Sequence, residues 1–469
     1  MTRSYALWPL CLAALLFLGC AAGYSGAMRK PLKRLEKGDY QGALAKLEKP
    51  EGGTNKLLYR LEKGLILHYL GRYAESNVEF DRAERLVERH YTRSASREIA
   101  ALVSNDAVRA YSGEEHERVF IHYYRALNYV RLGNMEGALV ECRKANNRLA
   151  DYAQEAEYEL NYKNDAFIQY MTGLLFESQN ELNDAYISFR DAEKGYRAYT
   201  EAFGTPMPRA LALDLAYTAQ RLGYRDEVEE YMRRYGIHPE ELRPRRSARV
   251  VVFVETGFIG RKRQNEINVP ILEGDDGGKA WLLSERLADR HYHRRRYRNV
   301  DYWLRVALPY YQSVPSQISR VHLSGGGASA AATPLEDLDA IAARNFKDKE
   351  RTILLRTLAR AVAKYWLAQK AEDQLDKAAE DDGSAWNAVF GLLGGALSLV
   401  GAATEAADTR SWLSLPGRVQ MARVDLPAGT HDLDLEFFNA SGQVVERHRF
   451  PQVRVAKGQT VFLNHRSYR

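Results

Sequence analysis

The feature that most constrains this chain is a spacing that recurs between about residues 30 and 240. A small residue is followed seven positions later by Gly or Asn, then by an apolar residue and an Ala or its substitute at helical intervals. Gly64 and Gly71 open one such frame, with Tyr73, Ser76, Phe80 and Ala83 behind them. Ala126, Gly133, Met135, Ala138, Cys142 and Ala145 repeat it, as do Gly173, Asn180, Leu182, Ala185, Phe189 and Ala192. Ala216, Gly223, Tyr224, Val228 and Met232 form a further copy with a changed residue after the turn, and Gly38, Tyr40, Ala43 and Leu47 a partial first one. The pattern predicts helix hairpins: small residues let two helices approach, Gly or Asn ends the first helix in a left-handed cap, and an aromatic fills the space between hairpins. The turn positions are unevenly spaced, so the expected solenoid is irregular.

This frame resembles the tetratricopeptide repeat. The resemblance implies a helical domain over residues 30–242 whose concave groove holds a peptide or helix of a protein partner, with a purely structural spacer as the alternative. Glu117, Arg118, Glu141 and Arg143 are placed to pair charges between adjacent helices. Cys142 falls where the helical pattern packs.

At 469 residues the chain exceeds one ordinary core. Its composition, 45% hydrophobic and 27% charged with a mean hydropathy of -0.45, confines any membrane attachment to a local segment. Arg3, the apolar run Leu10 to Leu18 and Gly19-Cys20 have the layout of an export signal, and the run is too short to span a bilayer. Gly19-Cys20 resembles the bacterial lipobox. That implies removal of residues 1–19, acylation of Cys20, a linker over 20–29 and, from Ala21, delivery to the outer membrane facing the periplasm; an ordinary signal peptide cut near Ala22 is the alternative. Two or three acyl chains on one cysteine anchor durably. With Cys11 removed and Cys20 acylated, Cys142 has no disulfide partner. The net charge of +6 favours anionic surroundings such as lipid headgroups or glycan, and export excludes nucleic acid.

After Pro244 the periodicity shortens. Ser247 to Glu255, Ile267 to Leu272 and Trp303 to Leu308 read as strands. Thr333-Pro334-Leu335-Glu336 predicts a helix start, with Ser324-Gly325-Gly326-Gly327 as a flexible lead that lacks the residues of a nucleotide loop. From Lys349 to about Glu372 a helix carries Leu354, Leu358, Ala361, Val362 and Tyr365 on one face and Arg356, Arg360 and Lys364 on another, a solvated stripe or an anionic contact. A second basic cluster contains Arg294, Arg295, Arg296 and Arg298, whose guanidinium groups suit phosphate or carboxylate. His291 and His293 within it lack a third ligand, so no metal site is expected, and no cofactor motif is present. Trp386 to Thr404 is uncharged, with Gly391 and Gly395 at close-packing spacing, and reads as a packed helix or a membrane span. From Val419 onward, short alternating strands suggest a small antiparallel β-sandwich. The expected architecture is α+β and multidomain: a helical solenoid, a mixed α/β region over 243–410, and a β-sandwich over 411–469.

Four blocks carry a further resemblance: Tyr111 to Arg118, Ala126-Leu127-Asn128-Tyr129, Ala138 to Arg143, and Asp408 to Trp412 with Leu415-Pro416. They look like an uncharacterised family of proteobacterial lipoproteins with tetratricopeptide-like repeats, over essentially the whole mature chain. Some members of that family are encoded near a small outer-membrane lipoprotein that activates peptidoglycan synthases. The resemblance implies a non-enzymatic scaffold or adaptor in the envelope, with regulation of peptidoglycan synthesis as its sharpest version. Two alternatives stand beside it. One is an envelope glycan hydrolase or peptidase using the acidic cluster Glu336, Asp337 and Asp339, although no zinc motif, nucleophile elbow or phosphate loop is present. The other is a component of an oligomeric secretion or surface assembly built through Trp386 to Thr404.

Overall fold

The computed structural model describes residues 23–48, 53–94, 109–155, 162–242, 247–272, 300–381 and 407–469. Cys20, Arg294, Arg295, Arg296 and Arg298, and the segment Trp386 to Thr404 lie outside the described residues, as does the side chain of Lys364.

The first half forms antiparallel helix pairs: α1 Gly23–Leu35 with α2 Tyr40–Lys46, α3 Lys56–Tyr69 with α4 Tyr73–Ser94, and α5 Glu115–Arg131 with α6 Met135–Glu155. They continue as α7 Ala166–Ser178 with α8 Leu182–Phe203, and α9 Arg209–Leu222 with α10 Arg225–Tyr235. Every turn position expected from the sequence is left-handed, with φ of 69° at Gly38, 73° at Gly71, 74° at Gly133, 62° at Asn180 and 82° at Gly223. Where the small residue seven positions earlier is glycine, it is equally constrained. A Cβ on Gly64 would lie 2.7 Å from the Phe80 ring, and one on Gly173 would lie 2.3 Å from Phe189, so each hairpin closes only because a hydrogen stands there.

The second half contains β1 Ala248–Thr256, β2 Arg261–Leu272, β3 Val300–Gln312, β4 Arg320–Gly325, β5 Ala328–Ala331, β6 Thr333–Asp337 and the long α11 Leu338–Asp381. β7 Arg418–Leu426, β8 Gly429–Phe438, β9 Val444–Val455 and β10 Thr460–Ser467 complete it. One sheet has the order β10-β1-β7-β6, a second β5-β4-β8-β9, and β2 and β3 pair as a separate ribbon. β1 runs parallel to β10 and antiparallel to β7, so the sandwich is mixed rather than purely antiparallel.

Three sequence expectations change here. The boundary near residue 410 does not divide the β-structure: β1 and β6 pair with β7 and β10, and β4 and β5 share a sheet with β8 and β9. Thr333 to Glu336 forms β6 along the edge of β7 instead of starting a helix, because strand pairing and burial of Leu335 outweigh the local capping signal. The helix begins at Leu338, with the Asp337 carboxylate accepting from the Ala340 N–H at 2.9 Å. Ser324 to Gly327 is the tight β4–β5 hairpin, where Gly326 and Gly327 supply φ of 59° and 81°.

β1 is buried along its whole length and sorts its side chains by alternation. Val250, Val252 and Val254 meet Val321, Leu323, Leu433 and Leu435 inside the sandwich. Val251 and Phe253 join the core that contains the helices, and Arg249 and Glu255 share that side by register. The molecule is therefore layered as helical repeat, first sheet and second sheet.

Candidate functional site: the covered face of the repeat

The first helices of successive hairpins, α3, α5, α7 and α9, turn tyrosines and carboxylates inward, where a tetratricopeptide groove would receive a ligand. In this chain the sheet β10-β1-β7-β6 meets them. The fully buried Glu255 of β1 accepts from Tyr123 at 3.0 Å and Tyr124 at 2.7 Å, and from Tyr69. Arg466 of β10 lies 3.3 Å from the same carboxylate and donates to the carbonyls of Gly257, Ser414 and Leu415. Both partners of this ion pair are out of water, and the hydrogen bonds around it offset its desolvation.

A second polar centre lies further along. Asp214 of α9 accepts from Tyr170 at 2.8 Å and Arg423 of β7 at 2.6 Å, with Arg249 of β1 at 3.6 Å. Arg249 also reaches Glu177 of α7 at 3.2 Å. Between the two centres the Phe167 and Phe253 rings meet at 5.7 Å.

The third centre is made by the irregular segment 407–417 that leads into β7. Trp412 is fully buried against Phe80 and Tyr124, and its backbone N–H donates to Glu117 at 2.6 Å. The Leu413 N–H donates to Glu62 at 3.0 Å. Glu117 also accepts from the Tyr111 hydroxyl, and Arg410 stacks its guanidinium on the Tyr111 ring at 5.4 Å. Two of the sequence blocks that carry the family resemblance, nearly three hundred residues apart, thus form one contact. Burial pushes the Glu62 carboxyl up to about 7 against the pull of its hydrogen bonds, and raises Glu117 as well.

The repeat-signature residues Gly64, Gly71, Ala126, Gly133, Gly173, Asn180, Ala216 and Gly223 all serve hairpin geometry. Ala126 and Ala216 are wholly buried at the helix crossings. Of Glu117, Arg118, Glu141 and Arg143, expected to pair charges between adjacent helices, Glu141 does so with α5, while Glu117 turns to the Trp412 backbone. Glu141 pairs with Arg125 at 3.0 Å and His122 at 2.8 Å, whereas Arg118 stacks on Tyr152 and Arg143 on Phe176. Glu84, His122 and Glu141 approach closely enough to hold a cation, but Arg125 and Lys144 already bring positive charge to them. Cys142 packs in the core, where burial raises its thiol to about 12.

The basic stripe on α11 is also revised. Arg356 is exposed, but Arg360 is buried between the helix and the β2–β3 ribbon, so the two do not share a solvated face. The acidic cluster separates into three structural roles. Asp337 caps α11 and pairs with Arg418, Asp339 accepts from the Gly260 N–H and the Tyr311 hydroxyl, and Glu336 is buried with both oxygens unpartnered among the described residues.

No family description matches the sequence, and no curated protein does. Among solved structures, aspartyl phosphate phosphatase F from Bacillus subtilis is similar at 16% identity and a TM-score of 0.32, over 50% of this chain and 56% of that one. The MamA AMB-1 structure is similar at 15% identity and a TM-score of 0.27, over 47% of this chain and 97% of that one. The chain thus spans little more than half the length of the phosphatase. The tetratricopeptide-like character of the first half stands on its own hairpins, turns and glycine contacts. Among the described residues, no helix is long and apolar enough to cross a membrane.

Proposed function

We propose that this chain is a non-enzymatic interaction scaffold of the bacterial outer membrane, tethered through acyl chains on Cys20 and facing the periplasm, that binds a protein partner on the outer side of its repeat. The observation that carries the reading is a row of exposed aliphatics. Val78, Val140 and Ile187 lie seven residues after the turns at Gly71, Gly133 and Asn180, on the second helices of consecutive hairpins, and are 47%, 39% and 58% exposed. Each stands two residues past Ser76, Ala138 or Ala185, about 200° around the helix from a buried position. Equivalent apolar side chains in solvent, repeated along a solenoid whose inner face is covered, suit the apolar side of a partner helix. Regulation of peptidoglycan synthesis, and contact of Arg294, Arg295, Arg296 and Arg298 with anionic lipid or glycan, are finer versions that rest on the family resemblance and the charge pattern.

Crosslinking mass spectrometry in intact cells tests the partner, comparing the wild-type chain with a Val78→Asp/Val140→Asp/Ile187→Asp variant. The expected result is that crosslinks from Lys144 and Lys194 to a second protein disappear in the variant. Their persistence would remove the outer face from the account. Metabolic labelling with an alkyne fatty acid tests the tether: label is expected on the wild-type chain and absent from Cys20→Ser, and equal labelling of both would contradict acylation there.

A further inference from the structure

Where the start of α5, the β2–β3 ribbon and α11 meet, the described residues enclose a cavity of about 200 Å³. One wall is apolar, built by Ala307, Pro309, Phe346 and Ile353, while Lys262, Lys349 and Arg360 bring cations to the other. The acidic groups nearby are engaged. Glu114 accepts from Lys262 and Lys349 at 2.5 Å each, Lys349 also reaches Glu115 at 2.6 Å, and Asp408 is gripped by Arg410 at 2.9 and 2.8 Å. Two uncharged groups in the lining are not engaged. Among the described residues, His116 Nδ1 and Ser411 Oγ have no hydrogen-bond partner although their residues are only 4% and 7% exposed. Buried polar atoms in a native fold are nearly always paired, so two such atoms on residues that line one cavity point to a missing acceptor or donor. Burial holds the His116 imidazole down at about 4, so at neutral pH it is uncharged, and its Nδ1–H tautomer would offer a donor to the cavity that the Ser411 hydroxyl also lines.

We propose that this cavity binds a small organic monocarboxylate with an apolar body, its carboxylate accepting from His116 and Ser411 beside the cationic wall and its ring or short chain lying against Phe346 and Ile353. The dimensions set the class. An apolar cavity of about 150 Å³ holds benzene, so this one has room for a ring and a carboxylate and excludes a disaccharide or a two-chain lipid. The unpartnered atoms set the head group: the two oxygens of a carboxylate can accept from His116 and Ser411, whereas Glu114 and Asp408, the carboxylates of the lining, are already bonded to Lys262, Lys349 and Arg410 and leave little to hold an amine. The site lies apart from the outer aliphatic row and does not depend on it.

The test titrates the full chain in detergent with benzoate, hexanoate, benzyl alcohol and acetate, read by saturation-transfer NMR and calorimetry. Benzoate or hexanoate is expected to bind, with benzyl alcohol and acetate weaker by about tenfold or more. Ser411→Ala should weaken the acid by a similar factor, and Ile353→Trp, which fills the cavity, should abolish binding, both with melting temperatures close to wild type. The proposal is overturned if neither acid binds, if benzyl alcohol binds as well as benzoate, or if folded Ser411→Ala and Ile353→Trp chains bind like the wild type.

Discussion

Along α3, α5, α7 and α9 the inward side of the repeat holds tyrosines and carboxylates that are buried and bonded to the chain's own sheet, whereas the outward side of α4, α6 and α8 holds ion pairs in water and a row of aliphatics. Both faces come from the same hairpin geometry. The difference is what each meets: β1, β7, β10 and the segment 407–417 leading into β7 supply every kind of group that a bound peptide would, namely backbone N–H groups, a carboxylate, guanidinium groups and a buried tryptophan. A solenoid that folds its own sandwich into its groove gains a large core and leaves its outer surface as the face open to others.

The sharpest way to break the contrast is to remove one buried charge and one exposed charge. Arg466→Ala leaves Glu255 buried without its cation and is expected to cost about 3–5 kcal/mol in denaturant unfolding. Arg85→Ala, which removes an exposed α4 pair with Asp81, should cost no more than about 1 kcal/mol. Equal effects would mean that the inner face is not buried as described.

Titration separates the faces next. Glu62 carries a folded-state value of about 7, above the 4.5 of an unfolded glutamate, so the folded chain binds this proton more tightly. Stability contributed by protonated Glu62 is therefore full below pH 4.5 and falls as pH rises to about 7, by on the order of 3 kcal/mol. Glu62→Gln should flatten the wild-type decline over that interval, measured as unfolding free energy at pH 5 and pH 8. An unchanged slope would place Glu62 in contact with water.

Smaller effects sharpen the hairpin geometry itself. Gly173→Ala pushes a methyl into Phe189 and is expected to cost about 1–3 kcal/mol, partly recovered by Phe189→Leu. Gly71→Ala meets no neighbour and should cost about 1 kcal/mol from its positive φ alone. The smallest change belongs to the outer row: Val78→Asp, Val140→Asp and Ile187→Asp should each alter stability by no more than about 0.5 kcal/mol. A large loss there would show those side chains to be packed.

The hairpins were legible because their signals are local. A left-handed turn residue, a small residue seven positions before it and an apolar residue nine positions after it, Phe80 and Phe189 in two hairpins, lie within one supersecondary unit, and all five turns took the expected backbone. The sheets were not legible in the same way. β1 finds β10 and β7 some 170 to 210 residues away, so nothing near residue 410 marked the strands on either side as one sandwich. The covered groove left two faint traces. The chain has 29 tyrosines against 15 phenylalanines, more hydroxyls than a purely apolar core would tolerate without partners. β1 carries Arg249 and Glu255 at the ends of an otherwise apolar run, on the same side as Val251 and Phe253, where an isolated sheet would place no charge. Arg360 misled for a related reason: its spacing from Arg356 suggested a common surface, but a hundred-degree step per residue leaves i and i+4 some 40° apart, enough at a helix edge to bury one and expose the other.

Whether the inner face is closed by the chain's own sheet is tested most directly by a photocrosslinker placed at single positions in living cells. With p-azidophenylalanine at Tyr69, on the inner face beside Glu255, and separately at Ile187, on the outer row, the Tyr69 probe is expected to react within the chain near Glu255 or Tyr468, and the Ile187 probe with another protein. Capture of a separate protein from Tyr69, with no internal product, would contradict the closed groove.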